Sequence, residues 1–367
     1  MKFMFAMLFL TELFSCASPD QTSRNAEVPE NIIFLIGDGM GLSAVSTTFY
    51  FGEQKSVFSQ FEEFGFIITS SATHKITDSG ASGTAMAAGI KTYNGAIGMD
   101  TSKIKVSNIT ELVSDAGWST GVIATSSITH ATPASFYAHV EQRSMEEEIA
   151  IQLLDSEIDF FAGGGTGYFN RRHDGGDLFR VAVEKGFTLD TTGLTESGSL
   201  SPDQKYGFLL SPGGLPSMTN GRGDFLLEAT ELAIEYLSGK GQGFFLMVEG
   251  SQIDWAGHSN NGDQLVAEVL DFQKAIEAAL NFAKKDGRTL VVVTADHETG
   301  GLTLSGKQDQ MANYSDYNII EPAFATSGHS TTLIPVFAFG PGAGAFNGIY
   351  ENTELFHKMV AAARMEP

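Results

Sequence analysis

The chain has 367 residues, 42% apolar and 18% charged, enough for one large packed domain or two ordinary ones and too apolar for wholesale disorder. Lys and Arg number 22 against 44 Asp and Glu, a net charge of −22, which excludes nucleic-acid backbones and anionic membranes as electrostatic partners. Any anion site must therefore bring its own positive charge, as metal or arginine, and a single cysteine excludes a disulfide framework, a Cys-rich zinc module and a CxxC redox pair.

In chain order, residues 1–16 (MKFMFAMLFLTELFSC) join one lysine to an apolar run at 3–10, the layout of an export signal and too short for a membrane span. The only cysteine closes it, in Leu13-Phe14-Ser15-Cys16, which resembles a bacterial lipoprotein box with Cys16 as the lipid-anchored residue; ordinary cleavage after Ala17 is the alternative. Either way the product is expected outside the cytoplasm, in the periplasm or at the cell surface. Residues 17–29 are polar and read as a tether, leaving 30–367 as a single domain.

Short apolar runs then end abruptly in polar, Gly-rich segments: Asn31–Ile36 before Gly37-Asp38-Gly39, Gly121–Ala124 before Thr125–Thr132, Phe244–Val248 before Glu249-Gly250-Ser251, and Thr289–Val293 before Thr294-Ala295-Asp296-His297. Such runs read as buried parallel strands, with helices predicted at Asn108–Ala116, Met145–Leu154, Phe225–Leu237 and Asp263–Lys284. The fold class is α/β, an α/β/α sandwich on a mostly parallel sheet. Residues 191–223, rich in Gly, Ser and Pro, read as a surface excursion or small cap.

In open α/β sheets ligands bind beyond the carboxyl ends of the strands. The residues there are Asp38, His130 with Thr132, Glu249, Asp254 with His258 at i and i+4, Asp296 with His297, and His329 in Ser327-Gly328-His329-Ser330. An Asp between glycines is ordinarily a turn residue, and a DxxxH pair is ordinarily solvated. Four of eight histidines standing at such ends are better explained by a multinuclear metal centre, the oxygen and imidazole donors suiting Zn²⁺ and Mg²⁺. His74, His139, His173 and His357 lack that context and read as structural or surface residues.

The segment Thr77-Asp78-Ser79-Gly80-Ala81-Ser82-Gly83 places a serine at a helix start. Asp78 or Ser79 is then either a plain N-cap or part of a site in which Ser79 is a nucleophile facing an anion. No Gly-x-Ser-x-Gly elbow surrounds Ser79, so its activation would fall to a metal. Arg143 is a surface arginine or, in that context, a phosphate fork.

Six segments together resemble the alkaline phosphatases: IGDGMG (36–41), TDSGASGTAMAAG (77–89), THATPASFYAHVEQR (129–143), VEGSQIDWAGH (248–258), TADHETGG (294–301) and SGHS (327–330). The resemblance implies hydrolysis of phosphate monoesters through a phosphoserine at Ser79, with Arg143 clamping the phosphoryl oxygens and Asp78 orienting it. It implies two zinc ions, the first on Asp254, His258 and His329 and the second on Asp38, Asp296 and His297, and a magnesium on Asp38, Thr132 and Glu249. His130 and Trp255 stand where some bacterial members carry Asp and Lys, which leaves the third metal open and implies weaker product binding. Only 31 residues separate His297 from His329, too few for a large crown, and dimerisation stays open. The alternatives are a phosphodiesterase or nucleotide pyrophosphatase of the same superfamily, in which Thr132 and Glu249 would be out of place, and a phosphate-binding module without turnover. The sulfatase Cys/Ser-x-Pro-x-Arg motif is absent.

Overall fold

The computed structural model describes residues 28–196, 198–309 and 314–366. The expected export signal with Cys16, and most of the expected tether, lie outside the described residues. Among the described residues the strands, in chain order, are β1 (Asn31–Gly37), β2 (Glu63–Ile68), β3 (Ser119–Ser127), β4 (Phe160–Gly164), β5 (Phe187–Asp190), β6 (Lys205–Leu209), β7 (Phe244–Gly250), β8 (Thr289–Thr294), β9 (Glu298–Thr299), β10 (Thr303–Asp309), β11 (Tyr314–Ala323), β12 (His329–Ser330), β13 (Ile334–Phe339) and β14 (Gly348–Glu351). The helices are α1 (Leu42–Tyr50), α2 (Ser79–Ala88), α3 (Ile109–Asp115), α4 (Ala131–Ala134), α5 (Glu146–Asp155), α6 (Thr166–Asn170), α7 (Leu178–Glu184), α8 (Phe225–Gly239), α9 (Gln252–His258), α10 (Gly262–Asp286) and α11 (Glu354–Ala362). No described helix is long and apolar enough to cross a membrane.

Ten strands make one sheet in the order β14-β2-β13-β8-β1-β7-β3-β4-β6-β5, and within it only β13 runs against its neighbours. The central strands β1, β7, β3 and β8 are buried at every position, as parallel strands covered on both faces must be. One packed group of helices is α1, α8 and α10; α2, α3, α4 and α11 form another, so the sheet is flanked by helices as expected.

The four strands and four helices expected from the sequence are present. One expectation needs correcting. Residues 191–223 are not wholly an excursion, because β6 lies inside that segment and pairs in parallel with β4 and β5 in the main sheet. A five-residue strand carrying a glycine leaves little periodicity to read. Among the described residues between His297 and His329, β10 and β11 pair in a two-stranded antiparallel ribbon.

Local chemistry places the helix ends. Asn108 and Glu111 form a reciprocal capping box at α3. Asn261 caps α10, Lys284 and Lys285 sit in its last turn, and Gly287 ends it in the left-handed conformation at φ 75°. In α2 the small residues are needed for close approach: a Cβ at Gly83 would stand 2.7 Å from the Ser135 hydroxyl.

Candidate active site

The carboxyl ends of β1, β3, β7 and β8 converge, and with α2 and α9 they bring the polar residues of six separate segments to one place. Three groups of donors each gather within 4.8 Å: Asp254, His258 and His329; Asp38, Asp296 and His297; and Asp38, His130 and Glu249.

In the first group the histidine tautomers follow from their partners. His258 Nδ1 lies 2.6 Å from the Ser327 carbonyl and His329 Nδ1 2.9 Å from the Thr77 carbonyl. A carbonyl only accepts, so both Nδ1 atoms carry the proton and both Nε2 atoms present lone pairs. Those lone pairs face each other at 3.2 Å, with Asp254 Oδ2 3.4 Å from His258 Nε2. Two imidazole nitrogens and a carboxylate aimed at one point are a donor set for a cation such as zinc.

The second group lies against the first, the His297 and His329 rings stacking with centroids 3.5 Å apart. His297 Nε2 stands 3.1 Å from Asp296 Oδ2 and 3.5 Å from Asp38 Oδ1. In the third group one oxygen of Glu249 is held by Ser251 Oγ at 2.5 Å and Ser126 Oγ at 3.4 Å, while Oε1 has no partner. Both Asp38 oxygens, Asp296 Oδ2, Thr132 Oγ1 and His130 Nδ1 are likewise buried without a hydrogen-bond partner. Buried acceptors left unmet at this density are costly unless cations take them up.

Without a cation the electrostatics are severe. Burial, together with Asp296, Asp254 and Glu249, holds Asp38 well above the usual carboxylate range. Burial pushes Glu249 up to about 8 against the pull of the Ser251 hydrogen bond. Burial also works to raise Asp296 and lower His297, but the pair's mutual charge wins, keeping Asp296 low and His297 high. Burial and the nearby Arg143 lower His130 to about 4, so that the ring is neutral.

Ser79 is the first residue of α2, and its Oγ lies 3.3 Å from His297 Nε2. Asp78 is both the helix cap and the partner of the arginine. Its Oδ1 accepts from the Ala81 and Gly95 amides and its Oδ2 from Arg143 Nη1 at 3.1 Å. Arg143 Nη2 also reaches His130 Nε2 at 3.2 Å, and the Trp255 ring meets His130 edge-on at 6.1 Å. The residues singled out from the sequence at strand ends, with Ser79, Asp78, Arg143 and Trp255, therefore lie in this one cluster. His139 lies outside it, bridging Glu111 and the Gly98 carbonyl.

The family model for alkaline phosphatase matches residues 29–319. The chain belongs to the alkaline phosphatase family. It is 34% identical to alkaline phosphatase 4 of Bacillus subtilis, over 93% of this chain and 92% of that one, and 30% identical to the Escherichia coli K12 alkaline phosphatase, over 91% and 86%. Among solved structures, the alkaline phosphatase of the Antarctic bacterium TAB5 superposes with a TM-score of 0.91 at 51% identity, covering 93% of this chain and 99% of that one. A histidine-to-aspartate variant of that TAB5 enzyme holds magnesium in its M3 site.

Supporting residues escaped the sequence reading of this alkaline phosphatase site. Ser126 and Ser251 hold Glu249, and the Ser330 hydroxyl donates to Glu298, tying the segment of His329 to that of His297. Serines beside ligands are too common in glycine-rich turns to signal a role. The one available hint was their position next to residues already singled out.

Proposed function

We propose that this alkaline phosphatase hydrolyses phosphate monoesters to alcohol and inorganic phosphate through a phosphoserine at Ser79, as an exported enzyme. The observation that carries the reading is the position of Ser79 Oγ, at a helix start, 3.3 Å from His297 Nε2 and beside two donor triads and Arg143.

In this reading Asp254, His258 and His329 would hold one zinc, and Asp38, Asp296 and His297 a second. Asp38, Thr132 and Glu249 would hold magnesium; the neighbouring His130 imidazole also suits zinc, so metal analysis of the purified protein decides the third ion. When bound, the cations supply the positive charge that lowers the serine pKa and stabilises the attacking and leaving oxygens. Ser79 Oγ loses its proton and forms a bond to phosphorus in line with the ester oxygen, which leaves with its bonding electron pair and is protonated to the alcohol. Water then attacks the phosphoserine, the phosphorus–Oγ bond breaks, Oγ regains a proton, and phosphate departs. Arg143 holds the non-bridging oxygens, and Asp78 keeps the guanidinium pointed at them. Most of the rate enhancement is positioning and charge stabilisation.

The test is p-nitrophenyl phosphate hydrolysis at alkaline pH with zinc and magnesium, beside chelator-treated enzyme, a Ser79→Ala variant and the diester bis-p-nitrophenyl phosphate. Monoester turnover should vanish on chelation and fall by about three orders of magnitude or more in Ser79→Ala. Preference for the diester would overturn the reading, as would absence of turnover with metals bound. The lipid anchor at Cys16 and a homodimer belong to the same proposal. The mass of the mature N-terminus tests the first, and light scattering the second.

A further inference from the structure

Thr299 stands where the ligand-bearing segments meet. Its amide donates to the Gly39 carbonyl in the loop that carries Asp38. It pairs with His329 across the β9–β12 register, and it follows Asp296 and His297 by a few residues. A Cβ at Gly39 would stand 2.8 Å from Thr299 Oγ1, and one at Gly257, within the α9 turn between Asp254 and His258, 3.0 Å from Thr299 Cβ. Two glycines thus admit this side chain, and it is buried.

The hydroxyl lies 2.5 Å from Asp254 Oδ1 and 3.2 Å from His297 Nδ1. It has one proton to give, and the carboxylate can only accept it. Nδ1 of His297 must then donate to Oγ1, the remaining favourable arrangement. We infer that Thr299 is a positioning residue whose hydroxyl links the two zinc triads in one chain, His297 Nδ1–H to Oγ1 and Oγ1–H to Asp254 Oδ1. The chain fixes the His297 tautomer that presents Nε2 to the second triad, and it orients the Asp254 carboxylate of the first. His258 and His329 have their tautomers set by backbone carbonyls, each serving its own triad. Thr299 alone among these contacts joins one triad to the other.

The inference rests on the reading of the triads as zinc sites, and the test separates the two. Zinc is titrated into chelator-stripped wild type, Thr299→Val and Thr299→Ser against a competing chelator, with ¹⁵N-histidine NMR of the zinc-loaded wild type as a second readout. Hydrogen-bond partners of metal-binding side chains carry about 10- to 100-fold in metal affinity. Thr299→Val should therefore weaken both tight sites by that factor, and Thr299→Ser should recover most of it at both. The spectrum should show His297 protonated at Nδ1. Two tight sites in wild type with unchanged affinity in Thr299→Val would overturn the link, and so would weakening of only one site. Metal on Nδ1 of His297 would overturn it even if the valine variant fails to fold. Failure of wild type to bind zinc tightly at all would instead refute the zinc reading itself.

Discussion

Asp78 divides two tasks between its two oxygens. Oδ1 takes the Ala81 and Gly95 amides, each at 3.0 Å, and so caps α2; Oδ2 takes Arg143 Nη1 at 3.1 Å and aims the guanidinium. From sequence these looked like competing readings, cap or site residue, and the geometry joins them. Asp78→Asn separates them experimentally. Asparagine caps as well as aspartate, but its amide nitrogen would face the arginine, donor against donor. A charge-assisted hydrogen bond contributes about 1.5–3 kcal/mol, so kcat/KM for p-nitrophenyl phosphate should fall about ten- to a hundredfold while the melting temperature barely moves. Asp78→Ala should lose the same activity and about 1 kcal/mol of stability besides, through the missing cap. Steady-state kinetics beside thermal melts read both, and an Asn variant with unaltered kcat/KM would remove Asp78 from the arginine's support.

Among the elements, the four central strands β8, β1, β7 and β3 were legible and those on either side of them were not. Asn31–Ile36 and Thr289–Val293 carry unbroken apolar runs because parallel neighbours and helices leave them no polar face. By contrast β2 leaves Phe64 and Ile68 exposed, and β13 contains Pro335, so neither shows a clean period. The same limit hid a buried ion cluster. Arg222, just ahead of α8, reaches Glu268 and, at 2.9 Å, Asp271 on α10, with all three side chains at most 2% exposed. Its Nη1 also donates to the Pro216 carbonyl at 3.2 Å, and Glu268 Oε1 accepts the Met218 amide at 2.8 Å, so the cluster pins segment 216–222 to α10. Residues at 268 and 271 look like a solvated helix face until the arginine from fifty residues away is placed between them. Breaking such a cluster strands its charges, and Arg222→Met should cost about 3–5 kcal/mol in urea unfolding. Burial already raises both carboxyls, against the pull of Arg222, and its loss raises them further. A carboxyl raised in the folded state binds more protons there than in the unfolded chain, so its contribution is lost as pH climbs. The deficit relative to wild type should therefore be larger at about pH 8 than at about pH 5, and an equal deficit at both would contradict the account.

For the molecule as a whole, the polar residues at the strand ends were readable because an active site suspends the rules that govern a core. Asp38, Glu249 and Asp296 are wholly buried polar residues closing apolar strands, a pattern packing alone does not favour. Their supporting hydroxyls follow ordinary turn chemistry and carry no such mark. The protein thus concentrates carboxylates in its interior while its surface is already at a large negative net charge, and that arrangement makes its stability depend on cations. Stripped of metal, Asp38 is held well above the usual carboxylate range and Glu249 near 8, so both retain protons in the fold that they release on unfolding above about pH 4–5. His130 and His329, both lowered by burial, work the other way until the unfolded histidines lose their protons at about pH 6.5; from there to Glu249's value the folded state binds the extra protons, and stability declines as pH rises. Bound cations reverse this: they take the deprotonated carboxylates, expel the protons, and stabilise the fold in proportion to the logarithm of their concentration over Kd. The melting temperature of chelator-treated protein should therefore drop from about pH 6.5 to about pH 8, while protein with zinc and magnesium shows a higher and much flatter profile over that window. Calorimetry at matched ionic strength distinguishes these cases, because screening of surface charge lifts both curves alike whereas site occupancy separates them. Parallel curves would mean that the buried carboxylates are neutralised by something other than metal.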